Sequence, residues 1–149
     1  MASHRAQAAP AADALDATVM KIAGVVVLGA IMSILDTTVV SVALPTFQQV
    51  FDASYSTVAW TMTGYTLALA TVIPLTGWAA DRFGTKRLYM LALVLFILGS
   101  IACGFAWNIG ALITFRVLQG LGGGMLMPLG MTMMTRAAGP ARIGRVMAV

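Results

Sequence analysis

The stretch Gly77-Trp78-Ala79-Ala80-Asp81-Arg82-Phe83-Gly84-Thr85-Lys86-Arg87 decides the fold. It is the only compact cluster of charge between residues 22 and 134, and a long apolar run flanks it on each side. Four charges and a glycine within residues 81–87 cannot sit in hydrocarbon. The flanking runs are therefore separate membrane spans that meet at one polar surface. Lys and Arg in short loops stay in the cytoplasm, so the three basic residues here predict a cytoplasmic loop.

Composition agrees. Of 149 residues 60% are hydrophobic and 9% charged, too apolar a balance for a soluble domain. The net charge of +4 would suit nucleic acid if it formed a patch, but the basic residues are scattered at helix ends. They read as a topology signal, with no nucleic-acid partner. The single Cys103 lies in an apolar run and excludes an internal disulfide.

Outward from the charged stretch, residues 1–20 read as a frayed cytoplasmic tail, with His4 solvated and no metal-ligand spacing around it. Spans are predicted over about 22–44, 57–80, 88–106 and 109–134, each long enough for ~30 Å of hydrocarbon. Pro45 is expected to close the first span, an outer loop to run from Thr46 to Ser56, and Trp107-Asn108 to make a tight outer turn. Of nine basic residues, eight fall on the inner side, and Arg116 lies within a span. The N-terminus is therefore expected inside, in the first 20 residues of a chain whose residues 21–149 form one membrane unit. Residues from about 143 read as the opening of a fifth helix, so the chain is expected to be a piece of a longer protein.

Asp36 and Arg116 are ionisable groups at membrane depth, each costing about 2.5–3.5 kcal/mol on insertion scales, so neither is expected to face lipid. Counted from the outer ends of their spans they lie roughly 12 and 10 Å deep, close to one level. Ser33, Thr37 and Ser41 give the first span a polar face, and Gln119 and Gly120 fall one turn below Arg116. A buried proton or substrate site is the favoured reading over charges that only fix helix packing. Gly120 and Gly124, within a Gly-rich run, have the spacing for close helix approach. The following Lys-Ser/Thr that a phosphate loop needs is absent. The methionines from Met125 to Met134 read as adaptable packing rather than a drug-binding wall. Neither a Ser-His-Asp set nor a dinucleotide fingerprint supports an enzyme.

These residues also carry a family resemblance. The stretch 77–87 resembles the G-x-L-a-D-r-x-G-r-k-r motif between the second and third helices of major facilitator superfamily transporters. Leu35 to Pro45 is similar to the L-D-x-T-x-V-N-V-A-L-P signature of their fourteen-helix drug:proton antiporter branch. Trp60 to Leu67, which contains Tyr65, resembles that branch's second-helix W-x-x-t-a-Y-x-L, and Arg116-Val117-Leu118-Gln119-Gly120 its fourth-helix R-x-x-Q-G. Ala79, Thr85 and Ser41 depart from the motifs' Leu, basic residue and Asn.

The resemblance implies an all-α membrane protein, with the first four helices and the start of a fifth from an N-terminal six-helix half. It implies export of amphipathic or cationic drugs in exchange for protons across a bacterial plasma membrane, with the proton gradient as energy source and no cofactor. Asp36, Arg116, Gln119 and Tyr65 would lie on the proton and substrate pathway. Gly77, Asp81, Arg82, Gly84, Lys86 and Arg87 would form an inner gate, and Gly120, Gly124 and Pro128 would pack helices. The remaining helices of a full-length transporter would complete the cavity. The alternatives are a truncated non-transporting polypeptide and a small four-helix exporter working as a dimer.

Overall fold

The computed structural model describes residues 17–138, which form four helices: α1 (Ala17–Phe51), α2 (Tyr55–Phe83), α3 (Thr85–Gly104) and α4 (Ile109–Ala138). Each is long and apolar enough to cross a membrane. A helix satisfies its own backbone where no water can, so runs of this composition fold as single long helices.

Helix bounds depart from the expected spans at the polar ends. The last four residues of the expected tail belong to α1, while residues 1–16 and the expected fifth helix from 143 lie outside the described residues. Pro45 does not close α1, which runs on to Phe51. Proline removes one backbone donor and crowds the carbonyl four residues back, but its fixed φ is helical, so the helix continues with one bond fewer. Phe47 and Phe51 then pair one turn apart, with centroids 6.3 Å apart. The helix stops at Asp52, whose φ of 46° is left-handed, and the expected outer loop shrinks to a short turn before the Ser54 cap.

The charged stretch also differs from expectation. It is not a loop: Asp81 and Arg82 close α2, Lys86 and Arg87 open α3, and Gly84 alone joins them. Its N–H donates to the Ala80 carbonyl at 2.9 Å and its own carbonyl accepts from Leu88 N–H at 3.0 Å, serving both helix ends. This needs a φ of +88°, which a side chain would strain. Thr85 is buried there, with a hydroxyl that has no partner among the described residues. At the opposite end α3 stops at Gly104, two residues early, and Asn108 Oδ1 caps α4 by accepting from Ala111 N–H at 2.7 Å.

Helix α4 is the hub. Both α2 and α3 pack mainly on it and little on each other, while α1 crosses α4 and α2 with most of its surface exposed. The glycines set these approaches. A Cβ at Gly120 would lie 2.5 Å from the Tyr65 carbonyl, and one at Gly124 2.6 Å from that of Leu69, so this i, i+4 pair fits against the α2 backbone. Gly122, on another face, meets the Ala92 carbonyl of α3 at 2.7 Å in the same sense. Leu126, Leu129, Phe96, Tyr89 and Tyr65 fill the core around these contacts.

A buried carboxylate–guanidinium cluster as candidate functional site

Asp36 lies mid-helix on α1 and Arg116 two turns into α4, and their side chains meet. Arg116 Nη1 donates to Asp36 Oδ2 at 2.6 Å, and the side chains are 2% and 13% exposed respectively. Gln119 Nε2 donates to the other carboxylate oxygen, Oδ1, at 2.8 Å. One helical turn separates Arg116 from Gln119, so α4 presents both donors to a single carboxylate.

The guanidinium has further partners. Nη1 also donates to Gln119 Oε1 at 2.9 Å and Nε to the Thr61 carbonyl at 3.4 Å. Its Cζ lies 4.3 Å from the ring centroid of Tyr65, a cation–π contact in desolvated surroundings. Apart from Asp36, every neighbour of Arg116 in this set belongs to α2 or α4. Within this set Asp36 is the tie to α1.

The structure thus brings together Asp36, Arg116, Gln119 and Tyr65. The polar face expected on α1 is only partly turned inward: Ser33 Oγ lies 3.3 Å from the Tyr65 hydroxyl. Thr37 and Ser41 are exposed and donate to their own helix, to the Ser33 and Thr38 carbonyls. A hydroxyl in a helix can always satisfy itself this way, so its spacing alone does not aim it at a site.

Sequence reasoning missed three contributors. Thr61 offers its backbone carbonyl, which no side-chain pattern reveals. Cys103 Sγ donates weakly to Gln119 Oε1 at 3.7 Å. Gly99, one turn before it, lets Gln119 seat: a Cβ there would fall 2.7 Å from that of Gln119. The i, i+4 pairing of Gly99 and Cys103 on α3 was the available signal. A cavity of about 250 Å³ opens on the cluster, lined by Asp36, Arg116, Gln119, Cys103, Ser100 and Phe47 among others.

The residues expected at the inner gate are spread over the α2–α3 junction. Asp81 contacts Arg136 of α4 at 3.5 Å, both well exposed. Gly77 has nothing within 4 Å of where a Cβ would stand. Arg82 and Arg87 line a groove between α2 and α3, and Arg87 also lines a second pocket at the junction together with Lys86 and Arg136. Pro128 lies one turn beyond Gly124, and its carbonyl accepts from the Thr132 hydroxyl at 2.8 Å.

Four apolar helices around a buried charge pair define a multi-pass membrane protein. Residues 26–149 match the Major Facilitator Superfamily, and the chain belongs to that transporter family. It is 58% identical over 137 residues to the Multidrug resistance protein B homolog of Mycobacterium tuberculosis, covering 92% of this chain and 25% of that protein. It is 39% identical over 121 residues to the Multidrug export protein EmrB of Haemophilus influenzae, covering 81% of this chain and 24% of that one. The chain thus spans about a quarter of the length of these relatives.

Proposed function

We propose that this chain is the N-terminal part of a secondary active exporter that expels amphipathic or cationic drugs in exchange for protons by alternating access. The observation that carries this reading is the Asp36 carboxylate, held at both oxygens by Arg116 and Gln119 beside a cavity. An intramembrane carboxylate is costly, and one open to a cavity can take up and release a proton.

The cluster suggests how coupling would work. When Asp36 takes a proton it loses its charge, and the bond from Arg116 loses its ionic part. The guanidinium keeps the Thr61 carbonyl, Gln119 Oε1 and the Tyr65 ring, so α4 and α2 stay joined. Only the tie to α1 weakens. Protonation would therefore free α1 to shift against the α2–α4 body, and deprotonation would draw it back. A cationic drug entering the cavity would compete with Arg116 for the same carboxylate, so that drug and proton exclude one another.

The junction residues Gly77, Asp81, Arg82, Gly84, Lys86 and Arg87 would act as the inner gate, with Gly84 the hinge. The remaining helices of a protein of the relatives' length would supply the other cavity walls. The protein would sit in a bacterial plasma membrane with its N-terminus in the cytoplasm, without cofactor or catalytic chemistry. A transporter carrying this segment, reconstituted in vesicles with an acid interior, should lose part of its pH gradient when a transported cationic drug is added. A gradient that does not respond while the drug is transported overturns antiport.

A further inference from the structure

Helices α2 and α3 are joined by one residue yet diverge, because each packs on α4. The groove left between them holds about 620 Å³. Its walls are Leu75 and Trp78 of α2 and Leu91 of α3, with Met125 of α4 also lining it. Leu75, Trp78, Phe83 and Leu91 are all more than half exposed. From Val72 to Arg82 it follows α2 for ten residues, roughly 15 Å.

The charge sits at one end. Arg82 in the last turn of α2 and Arg87 in the first turn of α3 both line the groove. Among the described residues neither has an ion-pair partner, whereas Arg136 contacts Asp81 at 3.5 Å. The start of α3 has no side-chain cap, so its first amides leave the positive end of the helix dipole beside these guanidiniums.

An apolar trough in a membrane helix pair, closed at the polar surface by two guanidiniums that have no ion-pair partner among the described residues, is complementary to one class of molecule. We propose that the α2–α3 groove binds an anionic phospholipid, its acyl chain along Leu75, Trp78 and Leu91 and its headgroup phosphate on Arg82 and Arg87. Arginine suits this role, since its planar fork matches phosphate oxygens. The lipid would cover surface that α2 and α3 leave open and would bridge the two helices at the Gly84 joint.

Trp78 reports on the groove directly. With Trp60→Phe and Trp107→Phe it becomes the sole tryptophan. The 149-residue chain in phosphatidylcholine vesicles is then titrated with dibrominated phosphatidylglycerol or dibrominated phosphatidylcholine, and quenching of Trp78 gives the ratio of their affinities. The expected ratio favours phosphatidylglycerol about three-fold or more, given the pull of each basic side chain on anionic lipid. Arg82→Gln with Arg87→Gln should return the ratio to near one, the paired Lys variants should keep part of it, and Arg136→Gln should leave it unchanged. An excess of inorganic phosphate should not compete. A ratio near one in the parent overturns the proposal, and that comparison stands even if the Gln variants fail to fold. So does a preference that survives the double Gln change, or one that phosphate abolishes. Trp78 quenched by neither lipid would put protein in the groove and equally overturn it.

Discussion

Arg116 of α4 and Asp36 of α1 lie 80 residues apart in sequence and 2.6 Å apart in space, with the guanidinium almost wholly buried. Removing one member of such a pair strands the other. Arg116→Ala should destabilise the chain by on the order of 3–5 kcal/mol, more than Asp36→Asn, which keeps a hydrogen-bond acceptor and donor at the site. Arg116→Lys should fall between, because it keeps the charge but loses the Nε bond to the Thr61 carbonyl. Unfolding in mixed micelles gives this order; equal losses for all three variants would contradict it.

The glycines of α4 are graded by what a methyl group would strike. Gly122→Ala would meet Ala92 O and Phe96 N, both backbone and both at 2.7 Å, so neither can move aside. A loss of about 1–3 kcal/mol is expected, with Gly120→Ala similar. Gly24→Ala and Gly77→Ala meet nothing within 4 Å and should be neutral or slightly stabilising. Thermal stability in detergent checks the ranking.

The same graded contacts explain what the sequence could and could not disclose. The helices and the shared, lipid-averse depth of Asp36 and Arg116 were legible, because hydropathy and the cost of intramembrane charge act on residue type alone. Which glycine faces which helix was not: Gly120 and Gly124 read as one small-residue pair, but Gly122 between them serves α3. The polar ends were misread for a different reason. Pro45 and the 81–87 charges looked like longer breaks, yet α1 continues through Pro45 with one backbone bond fewer, and between α2 and α3 Gly84 alone suffices for the turn. The roles of Thr61 and Cys103 depend on a carbonyl and on a neighbouring glycine, neither of which a side-chain motif records.

Tyr89 links α3 to α1. Its hydroxyl donates to the Val25 carbonyl at 3.1 Å, and Gly29 makes room, since a Cβ there would stand 2.7 Å from the same oxygen. Tyr89→Phe should cost about 1 kcal/mol for the lost bond. Gly29→Ala should be tolerated better in the Tyr89→Phe background than alone. A double-mutant cycle measures this coupling, and strict additivity would show that the contact carries none.

Membrane orientation is open to chemical labelling. In a Cys103→Ser background, cysteine at the exposed Gln49 should react with an impermeant thiol reagent from outside intact cells. Cysteine at the exposed Lys86 should react only after the membrane is opened. Thr85 is the poorer probe because it is buried. Labelling at Lys86 from outside would reverse the topology.

Proton coupling through Asp36 rests on one measurement above the others. A transporter carrying this segment is reconstituted in vesicles, and drug transport is followed across a series of imposed pH gradients. Asp36→Asn has nearly the same size and its one amide oxygen can still accept from Arg116, so helix content and insertion should be retained, but it cannot exchange a proton. Coupling at this carboxylate predicts that the variant loses gradient-driven transport, by about 10²-fold or more if the proton step is essential. It also predicts that whatever transport remains no longer varies with the gradient. Transport by Asp36→Asn at the parent rate, with the parent's dependence on the gradient, would show instead that the Asp36–Arg116 pair only holds α1 against α4.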